Sequence, residues 1–320
     1  MADKKIIAIL GATGAQGGGL ARAILNDKMG AFAVRALTRD PKSEKAQALA
    51  QLGAEVVKVD ADNMSSLRKA FDGAFGAYCV TFFWEHFLPE KELAQATAMA
   101  QAAKMANLKR VIWSTLEDTR LKVPLKDKRM PTLMRRYKVP HYDAKGESDK
   151  TFLQAGLPVT CLRTSFYWEN FIHFGLGPKR LPDGSLALIL PMGGSRLPGI
   201  AAEDIGKCAY GILRKGMEYI GQTIGIAGEH LTGPQMAAAF TKALGEKVVH
   251  QAVTPAEYRE YEFAGAKDVA NMFQYTSEFE SDYCGARSVE TTRSLNPDLQ
   301  NFDRWLVKNK ERIPLELARP

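Results

Sequence analysis

The run Ile6-Ile7-Ala8-Ile9-Leu10, followed at once by Gly11-Ala12-Thr13-Gly14-Ala15-Gln16-Gly17, restricts this chain more than any other stretch. Five apolar residues without polar alternation read as a strand buried on both faces, as in a parallel sheet covered by helices. Leu20, Ala21, Ile24 and Leu25 then recur at helical spacing. The glycines between strand and helix permit a tight turn and let an anion approach the backbone N–H groups. The helix start adds its positive dipole end. A glycine triplet alone is a weak signal. Between a buried strand and a helix, at the start of an α/β chain, it points to a dinucleotide phosphate held by residues 11–17.

The rest of the first half repeats the alternation. Residues 33–38 (AVRALT), 55–59 (EVVKV), 77–81 (AYCVT), 110–114 (RVIWS) and 158–163 (PVTCLR) read as strands. Helical patterns fill 41–52, 65–71, 90–106 and 143–154 between them. The expected fold is α/β, a Rossmann-type doubly wound parallel sheet over residues 1–164. After residue 165 Pro and Gly become frequent, and helices are expected at 201–213, at 235–244 and from Asn296-Pro297-Asp298 onward. Residues 165–320 are therefore expected to form a smaller α+β C-terminal domain, with a strand or helix returning to the sheet. The aromatic run 166–174 (FYWENFIHF) reads mainly as the packing seam between the two halves.

The formal charge is +7, from 43 Lys+Arg against 36 Asp+Glu. It is concentrated in one place: Arg120, Lys122, Lys126, Lys128, Arg129, Arg135, Arg136 and Lys138 are opposed only by Asp127, and the remainder balances. This basic insertion, residues 116–140, is either a mobile solvated loop or a cationic lid for an acidic partner or cofactor phosphates. Nucleic acid is a poor partner: the segment carries Pro124 and Pro131, one aromatic (Tyr137), and no recognised motif. Cys79, Cys161, Cys208 and Cys284 are too far apart for metal or redox spacing. No metal set, signal peptide or apolar run of membrane-spanning length is found, so a cytoplasmic, membrane-free protein is expected.

Strand ends carry the specific signals. An NAD site usually places an acid about 20 residues past the glycines, on the ribose 2′-OH. Arg39 stands there instead, after Thr38, and a guanidinium suits a 2′-phosphate. NADP(H) is therefore expected in preference to NAD(H). Asp60 ends the third strand and Thr81 the fourth. Short-chain dehydrogenases pair a tyrosine with a lysine four residues later on one helix face. Here Lys145 is preceded at that spacing by His141, with Tyr142 one residue closer. Ser114, at the end of the fifth strand, is the candidate polarising hydroxyl. His141, Tyr142, Lys145 and Ser114 are the candidate catalytic residues, although His141 and Tyr142 equally suit packing or ribose positioning.

Residues 11–18 (GATGAQGG), 38–41 (TRDP), 53–57 (GAEVV), 80–85 (VTFFWE), 141–147 (HYDAKGE), 166–171 (FYWENF) and 265–273 (GAKDVANMF) together resemble the NmrA-like family of atypical short-chain dehydrogenase relatives. The similarity runs from residue 4 to beyond 300. It implies cofactor contacts from Gly11, Ala12, Thr13, Gly14, Ala15, Gln16, Gly17, Arg39, Asp60, Ala61, Thr81, Phe82, Phe83, Lys145, Tyr167 and Asn170. Two places depart from an animal redox sensor of the family: Ala94 stands where that protein has a lysine, and Ser43 replaces a second phosphate-side lysine. Members of the family include redox-sensing regulators that engage partner proteins and typically lack the catalytic tyrosine. Others are reductases of quinones, dyes or isoflavone-like molecules. The resemblance thus implies an NADP(H)-binding redox-sensing regulator with little or no dehydrogenase activity and a protein partner, and alternatively an NADPH-dependent reductase of a small quinone or carbonyl compound.

Overall fold

A computed structural model describes residues 4–315. The first half alternates as read: β1 (Lys5–Leu10), α1 (Ala15–Asn26), β2 (Phe32–Thr38), α2 (Glu44–Gln51), β3 (Glu55–Lys58), α3 (Met64–Phe71), β4 (Gly76–Cys79), α4 (Phe83–His86), α5 (Pro89–Met105), β5 (Arg110–Thr115), α6 (Pro140–Gln154) and β6 (Val159–Arg163). The strands run parallel in the order β3-β2-β1-β4-β5-β6, and Thr223–Gly225 adds a seventh strand beside β6. Chain order could not reveal this arrangement. The direction of strand addition reverses at β1, so the carboxyl ends of β1 and β4 flank the crevice where such sheets bind ligands.

Burial follows the sequence logic. Ile7, Ala8 and Ile9 are fully enclosed, with helices on both faces of the sheet. The helix Ala202–Arg214 lies directly against α1. A Cβ on Gly206 would fall 2.1 Å from the Leu20 nitrogen, so only glycine allows that approach.

A second core is built mostly from residues beyond 165, joined by Leu116, Val123, Met130, Val139 and Tyr142. Two three-stranded sheets, Glu229–Thr232 with Arg196–Ile200 and Phe166–Tyr167, and Val248–Ala252 with Leu186–Leu190 and Lys179–Arg180, surround it with helices Gly233–Leu244, Ala266–Glu278 and Phe302–Asn309. Phe166, Trp168 and Phe171 belong to this core, so the aromatic run does pack. Buried Arg287 ties the halves together. Its guanidinium holds Glu117, just past β5, at 2.6 and 2.8 Å, and donates to the Thr164 carbonyl.

Two expectations change. The last helix begins at Phe302, capped by Asn301, rather than at Asn296. Asn296 instead ends the helix Val289–Leu295, and the Gln300 N–H is taken by Asp204. The basic insertion is not a free loop. Asn271 donates to the Pro131 and Lys138 carbonyls, and Gln274 donates to that of Arg129. Arg120 pairs with Asp118 and Glu147, Lys122 with Asp282, Arg129 with Asp127, and Arg136 with Glu147. Lys138 is buried, its ammonium 2.6 Å from each of the Asp127 and Met130 carbonyls. Among the described residues, only Lys126, Lys128 and Arg135 of the eight bases lack such partners.

Candidate functional site

The glycine loop closes on itself at the carboxyl end of β1. A Cβ on Gly17 would lie 2.5 Å from the Gly11 carbonyl oxygen, so the last glycine is what lets α1 start this close to β1. Among the described residues no side chain caps α1, and no acid occupies its first turn. Its leading N–H groups are thus available to an anion. A cavity of about 660 Å³ opens over Thr13, Gly14 and Ala15, and Arg22, Lys45, Lys308 and Arg312 also line it. None of these four cations has an acidic partner among the described residues. Burial, then the fields of Arg312 and Lys45, lower the pKa of His173 at the same cavity. The residues present therefore fit the diphosphate of a dinucleotide.

Arg39 follows β2 as expected, but its guanidinium is engaged. Glu85 of α4 accepts from both Nη atoms at 2.7 Å. Asp60 follows β3 and turns its carboxylate onto the Asp62 N–H at 2.9 Å. Ala61 packs against the sheet core. The Phe82 ring lies on Gly11, where an added Cβ would meet it at 2.6 Å. Thr81 and Phe83 follow β4 and are buried.

Gln16 gathers a polar knot behind the loop. Its Oε1 accepts from Ser114 Oγ at 2.8 Å and from the Tyr78 hydroxyl, while its Nε2 donates to the Tyr167 hydroxyl. Burial pushes Tyr167 up to about 12. Ser114 and Tyr167 therefore do meet the glycine loop, through one amide. Asn170 starts the short helix Asn170–His173, close in sequence to Tyr167.

Lys145 lies in a buried cluster that the sequence reading missed. Its Nζ is 2.6 Å from Thr81 Oγ1 and 2.8 Å from Glu92 Oε1, and it stands 5.2 Å over the Trp113 ring. Thr81 in turn donates to Glu92. Glu92 is fully buried on α5, and Gln95, Ala96, Met99 and Ala103 share its buried face. That spacing was visible as a carboxylate on the inner face of an alanine-rich helix.

α6 begins three residues earlier than expected because Asp143 accepts the Lys138 and Val139 N–H groups at 2.7 and 3.1 Å. His141 and Tyr142 thus sit in its first turn. Tyr142 turns into the second core, bonds the Tyr283 hydroxyl at 2.7 Å, and is raised well above the usual tyrosine range by burial. The His141 ring packs against Phe83, Trp84 and Tyr142, with its Nδ1 2.7 Å from Asp268.

Fold and loop together define a Rossmann-type dinucleotide-binding protein, with the binding crevice at the β1/β4 switch point. The NmrA-like family model matches residues 3–306, and the chain belongs to that family. It is 30% identical over 295 residues to an NmrA-like family domain-containing oxidoreductase, FrzB, of Cladobotryum sp, covering 85% of this chain and 83% of that protein. A second such oxidoreductase, ptmS of Penicillium ochrochloron, is 27% identical over 317 residues, covering 92% and 90%. Among solved structures, the negative transcriptional regulator Nmra in complex with NADP superposes with a TM-score of 0.77 at 23% identity, covering 95% of each chain. Citrobacter sp. triphenylmethane reductase complexed with NADP(H) gives 0.74 at 20% identity, covering 95% and 99%. Among the described residues no helix is long and apolar enough to cross a membrane, and no cluster of His, Cys, Asp and Glu has the makings of a metal site.

Proposed function

We propose that this protein binds NADP(H) in preference to NAD(H) and is an NADPH-dependent reductase of a small quinone or carbonyl compound. The observation that carries the reading is the grouping on one helix: Lys145 anchored at the end of β4, and His141 one turn before it with a polar atom left unpaired. Residues 11–17 and the cavity cations would hold the diphosphate, Arg39 the 2′-phosphate, and Lys145 with Thr81 the nicotinamide ribose. When bound, the reduced cofactor supplies a hydride. Lys145 orients, with its charge balanced by Glu92, and the half-buried Trp84 and Phe87 rings, packed edge to face, offer an aromatic wall to a planar substrate. The two curated relatives, described as oxidoreductases, support the same choice.

NADPH consumption with a quinone and aldehyde panel tests the reading. Steady turnover that Lys145→Ala abolishes is expected. Tight NADPH binding without turnover of any panel member contradicts it.

A second reading, a regulator that responds to the NADPH/NADP+ state through a protein partner, is favoured by one observation. Arg39 is closed by Glu85 and Gly11 is covered by Phe82, so cofactor entry must move the α4 turn. A limited-proteolysis pattern that differs between NADPH and NADP+, in a protein without turnover, would establish it.

A further inference from the structure

Resting on the reductase reading above, we infer that Asp268 and His141 form a dyad in which Asp268 positions His141 as the proton donor to the reduced substrate. The Asp268 carboxylate grips His141 twice: Oδ1 lies 2.7 Å from Nδ1, and Oδ2 accepts the His141 backbone N–H at 3.2 Å. Both side chains are buried, 7% and 8% exposed. A buried carboxylate beside an imidazole nitrogen keeps the proton on that nitrogen and fixes the ring plane. Nε2 is left as the ring's other polar atom, among the rings of Phe83, Trp84 and Tyr142. It has no hydrogen-bond partner among the described residues, and it is not sealed from solvent.

The other candidates are committed elsewhere. The Ser114 hydroxyl donates to Gln16, the Tyr142 hydroxyl is bonded to Tyr283 in the second core, and the Lys145 ammonium is held by Glu92 and Thr81. His141 alone of the four carries an open polar atom. The place four residues before the lysine is where short-chain dehydrogenases carry their acid. His141 sits in the first turn of α6.

Approach of Asp268 depends on Gly265, the N-cap of the helix Ala266–Glu278. Gly265 has φ +85, and a Cβ there would stand 2.8 Å from the Trp84 ring. The same helix face carries Asn271, which holds the Pro131 and Lys138 carbonyls just upstream of α6. The residues 265–273 thus set both the entry to α6 and the ring of His141.

The step balances with the reduced nicotinamide as the named reductant. The substrate carbon gains a hydride and its electron pair, and the carbonyl π bond opens onto oxygen. The proton comes from Nε2 of the doubly protonated His141 ring: an O–H bond forms on that oxygen as the Nε2–H bond breaks. His141 is left neutral with its proton on Nδ1, and a proton from bulk solvent restores the Nε2–H bond.

The test combines imidazole NMR of the histidine-labelled protein with kinetics using NADPH and 9,10-phenanthrenequinone. His141→Gln assigns the signal among five histidines. Wild type is expected to show His141 with its proton on Nδ1. Asp268→Asn keeps the backbone acceptor but offers Nδ1 an amide N–H, moving the neutral proton to Nε2. It should lower kcat roughly 10²-fold, within the range of general acid catalysis, with quinone KM and NADPH affinity unchanged. Asp268→Glu should restore part of the rate, and His141→Gln should match the Asn variant. An unchanged kcat in an Asp268→Asn protein that has lost the Nδ1–H signal overturns the dyad and leaves the reductase reading standing. Wild-type protein that binds NADPH yet leaves the quinone intact overturns both.

Discussion

Arg39 and Glu85 meet fork to fork across the crevice, both contacts at 2.7 Å, although they lie 46 residues apart. The arginine proposed to read a 2′-phosphate therefore has an internal competitor on α4. Exposed pairs of this kind are worth about 0.2–1 kcal/mol, and the two side chains are 73% and 46% exposed. Removing the competitor with Glu85→Gln should raise NADPH affinity by up to about fivefold and leave NADH affinity unchanged. Equal gains for both cofactors would show that the pair does not bear on the phosphate.

Buried Glu92 is the counterion of Lys145. Removing one member of such a pair leaves an uncompensated charge, at a cost of about 3–5 kcal/mol. Glu92→Ala should lose stability on that scale in denaturant unfolding. The double variant Glu92→Ala, Lys145→Met should recover much of it, because no buried charge is left.

The basic insertion is held by side chains from another element, so its susceptibility to trypsin reports on those bonds. Wild-type protein should be cut slowly at Lys126 and Lys128. Asn271→Ala leaves the Pro131 and Lys138 carbonyls without their donor and should speed that cleavage several-fold, with little change elsewhere. Fast cleavage of the wild type would mean the segment opens on its own.

Asp149 supplies a pH signature. Burial raises its carboxyl to about 6, against partial relief from the Thr115 hydroxyl and the Trp113 N–H at 2.9 Å. The folded state thus binds this proton more tightly than the unfolded chain does. Its contribution to stability is present at low pH and falls as pH rises from about 4 to about 6, by about 2–3 kcal/mol for a two-unit shift. Asp149→Asn keeps the Oδ1 acceptor and should flatten that part of the stability profile. A variant with the wild-type slope would assign the proton elsewhere.

Much of this was legible along the chain, for definite reasons. Periodicity reported β1 to β6 and their helices, because a sheet buried on both faces demands unbroken apolar runs. The glycine loop, Arg39 and His141 were legible as candidates because short backbone motifs place them at strand and helix ends, and Lys145 because it follows His141 at four-residue spacing. What stayed hidden is contact over distance. Glu85, Glu92 and Asp268 face Arg39, Lys145 and His141 across 46, 53 and 127 residues, and no local pattern pairs them. Tyr142 misled for a related reason. At the start of α6 its hydroxyl is taken by Tyr283 in the second core, 141 residues away. The basic insertion left a mobile loop and a lid both open because its partners, Asn271 and Gln274 among them and Glu147 and Asp282 besides, lie outside the segment.

The central claim is that the crevice reads the 2′-phosphate of NADP(H) through Arg39. Calorimetric titration of the wild type and Arg39→Asp with NADPH and NADH tests it most directly. A charge-assisted contact is worth about 1.5–3 kcal/mol, so wild type should bind NADPH at least tenfold more tightly than NADH, and Arg39→Asp should erase that difference while sparing NADH. Equal affinity of the wild type for the two cofactors, or a ratio unchanged by the substitution, would contradict it.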